Sequence, residues 1–179
     1  MSTLVSKAHV FGTLAHKGQV RKYTGEPYFT HCEAVAGFVS DFTSDENVIA
    51  AALLHDTVED CETQIEEIAE KFGDAVAEYV WYLTKPPSFV GNREARKKQD
   101  RMRLSCAPDQ VKLIKCMDLR HNSLSIKKHD PDFWKTFSKE AVLLLDAMQA
   151  GDVISKYCGE SYKERVFMPW FKELVEGSR

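Results

Sequence analysis

The sequence holds no C-x-x-C pair, no apolar run approaching a membrane span, and almost no stretch in which β-branched residues alternate with polar ones. Each absence closes off a class of protein. The five cysteines (Cys32, Cys61, Cys106, Cys116 and Cys158) are odd in number and scattered. They read as reduced thiols in packing positions rather than a disulfide frame, which points to the cytoplasm. No signal-peptide pattern opens the chain, and its longest apolar run is far short of the roughly 18 residues a membrane-crossing helix needs. Positive charge is not in excess either: 24 Lys and Arg stand against 27 Asp and Glu, a formal net charge of −3. A broad basic surface for nucleic acid or anionic membrane is therefore not expected, although a local basic patch is compatible with these numbers.

What is present is helical periodicity. With 179 residues, 44% of them hydrophobic, the chain fits a single domain over 1–179 of the all-α class. Thr30-x-x-Glu33, Thr43-x-x-Glu46 and Thr63-x-x-Glu66 each fit a capping box, predicting helices that begin near about 31, 44 and 64. A first helix is expected over about 3–17, followed by a loop to Pro27 that carries Arg21 and Lys22. A segment over about 74–84 stops at Lys85-Pro86-Pro87, because proline lacks an amide donor, and a polar, mobile stretch over about 88–106 comes next. A long helix over about 108–128 precedes Asp130 and Pro131, the N-cap and first residue of a helix reaching about Met148. Short helices near about 151–158 and 161–176 close the chain. There is no internal repeat, low-complexity tract or linker.

Polar residues interrupt this pattern where it calls for core. If the helix that carries Val48, Ala51 and Ala52 continues, it puts His55 on the buried stripe, with Asp56, Glu59 and Asp60 in the same sector. His31 is in phase with Ala34, Val35 and Phe38. Asp118 is in phase with Val111 and Ile114, and is followed by His121 and Asn122. An isolated buried carboxylate costs several kcal/mol or becomes neutral, and a divalent cation reverses that preference. His31, His55, Asp56 and Asp118 therefore form a candidate ligand set, whose nitrogen and oxygen donors suit manganese, iron, cobalt or zinc. Glu59 and Asp60, one turn away, are candidates for taking a proton from water and orienting it. Lys85, Arg93, Arg96, Lys97, Lys98, Arg101 and Arg103, against only Glu94 and Asp100, make a positive patch that could receive phosphates or serve as a solvated helix face.

The strings Ala15-His-Lys-Gly-Gln-Val-Arg-Lys22, Pro27-Tyr-Phe-Thr-His31 and Ala50-Ala-Ala-Leu-Leu-His-Asp-Thr-Val-Glu-Asp60, with Phe72-Gly73 and Leu83-Thr-Lys85, carry a family likeness. Within the HD-domain metal-dependent phosphohydrolases, the chain resembles the hydrolase domain of the RelA/SpoT proteins over about residues 4–150. The resemblance implies an HD-domain helical bundle that binds manganese or another divalent metal. It implies removal of pyrophosphate from the 3′ position of guanosine tetra- and pentaphosphate, a small-molecule nucleotide substrate. By position it makes His31, His55, Asp56 and Asp118 metal ligands, and Glu59 with Asp60 the water-activating pair. It further implies that Arg21 and Lys22 flank the purine, that Asn122 meets the ribose, and that Lys85, Arg93, Arg96 and Lys97 meet phosphates. A guanidinium plane suits the first of these roles, since it can stack on a purine.

Two departures stand out. The run Lys115-Cys-Met-Asp-Leu-Arg-His-Asn122 places its arginine, Arg120, one residue later than the family does, a turn of about 100° around the helix. Cys32 stands where the family commonly has proline. The chain is expected to be a small, stand-alone alarmone hydrolase of the metazoan SpoT-homologue kind, without synthetase or regulatory parts. Tyr162, Phe167, Trp170 and Phe171 lie beyond the resemblance, in a region expected to cover the core or make a homo-oligomer contact. Two alternatives are the same scaffold acting on adenosine 3′-pyrophosphates, NADPH or a nucleoside triphosphate, and a non-catalytic nucleotide sensor.

Overall fold

A computed structural model describes residues 3–85 and 91–179. Regular structure among these residues is helical, and the only extended pairing among them is one antiparallel bridge between Val20 and Pro27. The all-α expectation holds. No helix among the described residues is long and apolar enough to cross a membrane, and none of the five cysteines forms a disulfide. Contacts gather into two compact units, Met1–Pro86 and Pro87–Arg179.

The first unit comprises α1 (Leu4–Ala15), α2 (Phe29–Ser40), α3 (Glu46–Leu54), α4 (Thr57–Asp60), α5 (Ile65–Phe72) and α6 (Asp74–Leu83). Its centre is α3, which packs against α1, α2 and α6. Val48 and every residue from Ala50 to Leu54 are buried, as expected of a helix that is apolar on all sides. On α1, Gly12 lies so close to α2 and α3 that a β-carbon there would meet the Phe29 ring and come within 3.3 Å of the Leu53 carbonyl oxygen. Between α1 and α2 the chain doubles back: Gly25, at φ 72°, donates from its amide to the Arg21 carbonyl at 3.0 Å, and the Tyr28 amide donates to the Gln19 carbonyl at 2.9 Å.

The helix starts fall within two residues of expectation, but none of the three threonines caps one. Thr30 sits inside the first turn of α2 and donates its hydroxyl to the Pro27 carbonyl at 2.8 Å. Asp45, not Thr43, caps α3, accepting from the Asn47 amide at 2.9 Å. A carboxylate is the stronger acceptor. Thr63 is buried, and α5 follows Gln64 without a side-chain cap.

A larger correction concerns the helix expected to run through His55 to Asp60, which is broken between Leu54 and Thr57. Thr57 donates its hydroxyl to the Leu54 carbonyl at 2.7 Å, and His55 Nδ1 lies 2.8 Å from the Ala52 carbonyl oxygen. In a continuing helix those carbonyls would accept from the amides of Val58 and Asp56.

The second unit comprises α7 (Arg93–Ser105), α8 (Asp109–His129), α9 (Pro131–Ala147), α10 (Ala150–Tyr162), a π-helical segment (Lys163–Phe167) and α11 (Met168–Gly177). The limits of α8 and α9 match the periodicity, and Asp130 caps α9 by accepting from the Phe133 amide at 3.1 Å. The polar stretch expected after Pro87 differs. From Arg93 it is a helix, capped by Asn92 (2.9 Å to the Ala95 amide) and packed on α9. The proline stop at 86–87 and the first residues of that stretch, through 90, lie outside the described residues.

Arg93 holds Glu140 of α9 through Nε at 2.5 Å and Nη2 at 3.0 Å, with Lys97 at 3.4 Å. Near the C-terminus, Gly159 (φ 76°) kinks α10. Phe167, Trp170 and Leu174 are buried, and Trp170 Nε1 donates to Ser123 Oγ of α8 at 3.1 Å.

Two outcomes follow from these packings. Gly12→Ala is expected to destabilise the protein by about 1–3 kcal/mol in urea unfolding, because the Phe29 ring must move to admit the methyl group. Wild-type stability would mean that α1 is not closely seated. Burial pushes the Glu140 carboxyl upward, but the Arg93 hydrogen bond and Lys97 outweigh it and hold the pKa below the usual carboxylate range. A depressed carboxylate stabilises above its unfolded pKa and loses that contribution as pH falls through the folded value. Glu140→Gln should therefore lower the urea midpoint at pH 7 and converge on wild type only once the pH has fallen below the depressed pKa of the folded protein. A gap that persists in acid would disprove the pairing.

Candidate metal centre

Within the first unit, His31 comes from the first turn of α2 and His55 closes α3. Their rings stand 5.2 Å apart at 66°, 1% and 2% exposed. The two Nε2 atoms face Asp56 Oδ2, at 3.7 Å from His31 and 3.1 Å from His55. Since the Ala52 carbonyl can only accept, the His55 proton belongs on Nδ1, which leaves the Nε2 lone pair directed inward. A backbone carbonyl behind an imidazole is the usual support of a metal-binding histidine.

Electrostatics favour a cation here. Burial works against charge on His55, yet the charge and hydrogen bond of Asp56, aided by Cys32, raise its pKa well above the ordinary value. A divalent ion supplies the positive charge that this carboxylate and imidazole would otherwise draw from a proton. The donor set, two imidazoles and a carboxylate, fits such an ion.

Two neighbours had no role in the sequence reading. Cys32, taken there as packing, is fully buried and offers a sulfur within 4.8 Å of donor atoms of His55 and Asp56. Adjacency to His31 hid it, because neighbouring helical residues point about 100° apart. Tyr28 reaches Asp56 Oδ2 at 2.8 Å and Asp60 Oδ2 at 3.0 Å with its hydroxyl. Nothing in its spacing from residues about 30 positions away signals that reach.

The expected water-activating pair lies in the same unit. Asp60 has its pKa raised by desolvation, then by the charges of Asp56 and Glu59, against the Tyr28 hydrogen bond and Lys85. Glu59 accepts from the Lys85 backbone amide at 3.2 Å and pairs with the Lys85 ammonium group. The Arg21 guanidinium lies over the Tyr28 ring, 5.6 Å from its centroid. Lys22 contacts the Tyr23 hydroxyl at 3.2 Å.

The remaining expected residues belong to the second unit. Asp118 is buried on α8, held by Lys115 Nζ at 2.7 Å and by Asn122 Nδ2 at 2.6 Å. Arg96 donates to the Gly91 carbonyl at 2.9 Å, while Arg93 and Lys97 share Glu140.

An all-helical scaffold that presents a histidine and a His-Asp pair at a candidate cation site defines a class. A family model described as the HD domain matches residues 8–144, and the chain belongs to the HD-domain family. It is 38% identical over 132 residues to the guanosine-3′,5′-bis(diphosphate) 3′-pyrophosphohydrolase of Haemophilus influenzae, covering 72% of this chain and 19% of that protein. It is 36% identical over 126 residues to a GTP pyrophosphokinase of Myxococcus xanthus, covering 66% of this chain and 16% of that protein. The chain thus spans less than a fifth of the length of these curated relatives. Among solved structures, it is similar to a metazoan orthologue of SpoT described as hydrolysing ppGpp, with a TM-score of 0.71 and 25% identity. That match covers 87% of this chain and 96% of the other.

Metal binding is open to a direct check. Adding Mn²⁺ to chelator-treated protein should raise its unfolding temperature, since ligand at a hundred times its Kd stabilises by about 2.7 kcal/mol. His55→Ala should abolish the shift. No shift in the wild type would remove the metal centre.

Proposed function

We propose that the protein is a metal-dependent 3′-pyrophosphohydrolase of guanosine tetra- and pentaphosphate, yielding GDP or GTP and pyrophosphate. The observation that carries this reading is a carboxylate pair, Glu59 and Asp60, that closely follows Asp56 and the buried His55 in the chain, with Asp60 linked to Asp56 through Tyr28 and Glu59 held by Lys85, while His31 and His55 face Asp56. The activity named for the Haemophilus influenzae relative and for the metazoan SpoT orthologue supports the choice of nucleotide.

In this reading His31, His55, Asp56 and Asp118 hold the metal, with manganese first and other divalent ions as substitutes. When bound, such an ion polarises phosphate and lowers the pKa of water. Lys85 holds Glu59 as an orienting carboxylate. Asp60, whose pKa is pushed upward, is suited to keep a proton taken from water. The water oxygen bonds to the phosphorus attached to the 3′ oxygen, and the bond from phosphorus to that oxygen breaks. The 3′ oxygen leaves as a hydroxyl after taking up a proton. Arg21 stacks on the purine, Lys22 meets its edge or a phosphate, and Asn122 meets the ribose. Lys85, Arg93, Arg96 and Lys97 steady phosphate charge, the second and fourth by exchanging Glu140 for substrate. The enzyme is placed in the cytoplasm on its cysteine usage.

The test is chromatography of products from a nucleotide panel with Mn²⁺. Guanosine tetraphosphate should give GDP and pyrophosphate, and Glu59→Gln and Asp60→Asn should each lower kcat by about a hundredfold or more with metal still bound. Release of single phosphates, or preference for adenosine 3′-pyrophosphates, NADPH or nucleoside triphosphates, would overturn the substrate. Tight binding without turnover would make the protein a sensor, and full activity in Glu59→Gln would overturn the mechanism.

A further inference from the structure

A phenol has one proton to donate, yet the Tyr28 hydroxyl spans two carboxylates, at 2.8 Å from Asp56 Oδ2 and 3.0 Å from Asp60 Oδ2. Its setting is built rather than incidental. The ring stacks on buried His16, with centroids 4.9 Å apart at 26°, and carries Arg21 at 5.6 Å. The Tyr28 amide donates to the Gln19 carbonyl at 2.9 Å. The Gln19 side chain accepts from His16 Nδ1 at 2.7 Å and donates to the Asp60 carbonyl at 2.9 Å. Asp60 is therefore gripped twice by one assembly, at its carboxylate by Tyr28 and at its backbone by Gln19.

We propose that Tyr28 is a positioning residue whose single hydroxyl fixes Asp56 for metal binding and Asp60 for proton transfer at a set separation. The inference rests on the metal reading and on the role given to Asp60, but its first readout does not depend on the nucleotide. A hydrogen bond to a ligating carboxylate orients it, and losing such a partner typically weakens metal binding or activity about 10–100-fold. Losing the tie to Asp60 affects a step after substrate has bound.

The test uses Tyr28→Phe, which keeps the ring and its stacking on His16 and removes only the hydroxyl. Calorimetry of the metal-stripped protein with Mn²⁺ should show affinity at least about tenfold weaker than wild type, with the metal-free unfolding temperature unchanged. At saturating Mn²⁺, kcat on guanosine tetraphosphate should fall about tenfold or more, with KM unchanged. A packing role alone predicts wild-type Mn²⁺ affinity in Tyr28→Phe and losses only in Tyr28→Leu. That outcome would overturn the proposal even if the wild type hydrolyses guanosine tetraphosphate. Conversely, weakened Mn²⁺ binding by Tyr28→Phe in a protein inactive on that nucleotide would sustain Tyr28's part in the metal site and discard the substrate.

Discussion

Two buried imidazoles converge on a carboxylate that is itself largely covered, and the first unit is organised around making that tolerable. Desolvating Asp56 costs several kcal/mol unless positive charge and hydrogen bonds compensate. His31 and His55 stand opposite it, and Tyr28 donates from the side. The apolar environment comes from α3, whose alanines at 50–52 let α1, α2 and α6 approach closely. A helix with no polar face has to be surrounded, and its end then delivers His55 to the inside. The break after Leu54 serves the same end. With the Ala52 and Leu54 carbonyls satisfied by His55 and Thr57 side chains, the backbone can turn without stranding buried acceptors.

Around this centre the charges are graded. His55 is pushed toward protonation by Asp56, and Asp60 is pushed toward keeping a proton by burial and by the same neighbour. Glu59, facing Lys85, has a cation of its own. Two adjacent carboxylates thus acquire different electrostatic surroundings, the arrangement that separates an orienting group from one that takes a proton. In the second unit, Lys115 and Asn122 compensate the buried Asp118 from the same helix, at the i−3 and i+4 positions. Arg120, displaced relative to the family pattern, contributes no ion pair within 4 Å to that local set among the described residues.

The basic helix α7 illustrates how tertiary partners redistribute charge. Read along the chain, Arg93 and Lys97 belong to a positive patch open to phosphate. Folded, both address Glu140 on α9, and Arg103 addresses the buried Asp100. The density of positive charge is a sequence property. That Arg93 and Lys97 engage Glu140 depends on the packing of α7 on α9, whereas Arg103 finds Asp100 within its own helix.

By itself the sequence determined the helical class, the limits of α8 and α9, the Asp130-Pro131 start and the residue types at the candidate cation site. Each of these follows from local chemistry: 3.6-residue periodicity, capping, and the cost of placing His55 or Asp118 on an apolar stripe. Tertiary structure decided the rest. It replaced Thr43 with Asp45 as a cap, broke the helix at His55, folded Arg93–Ser105 onto α9, and brought Cys32 and Tyr28 to the carboxylates. The physical reason is common to all four. Each outcome turns on competition between alternative partners for one hydrogen bond, charge or buried surface, and spacing along the chain names the candidates while only their positions in the fold settle the competition.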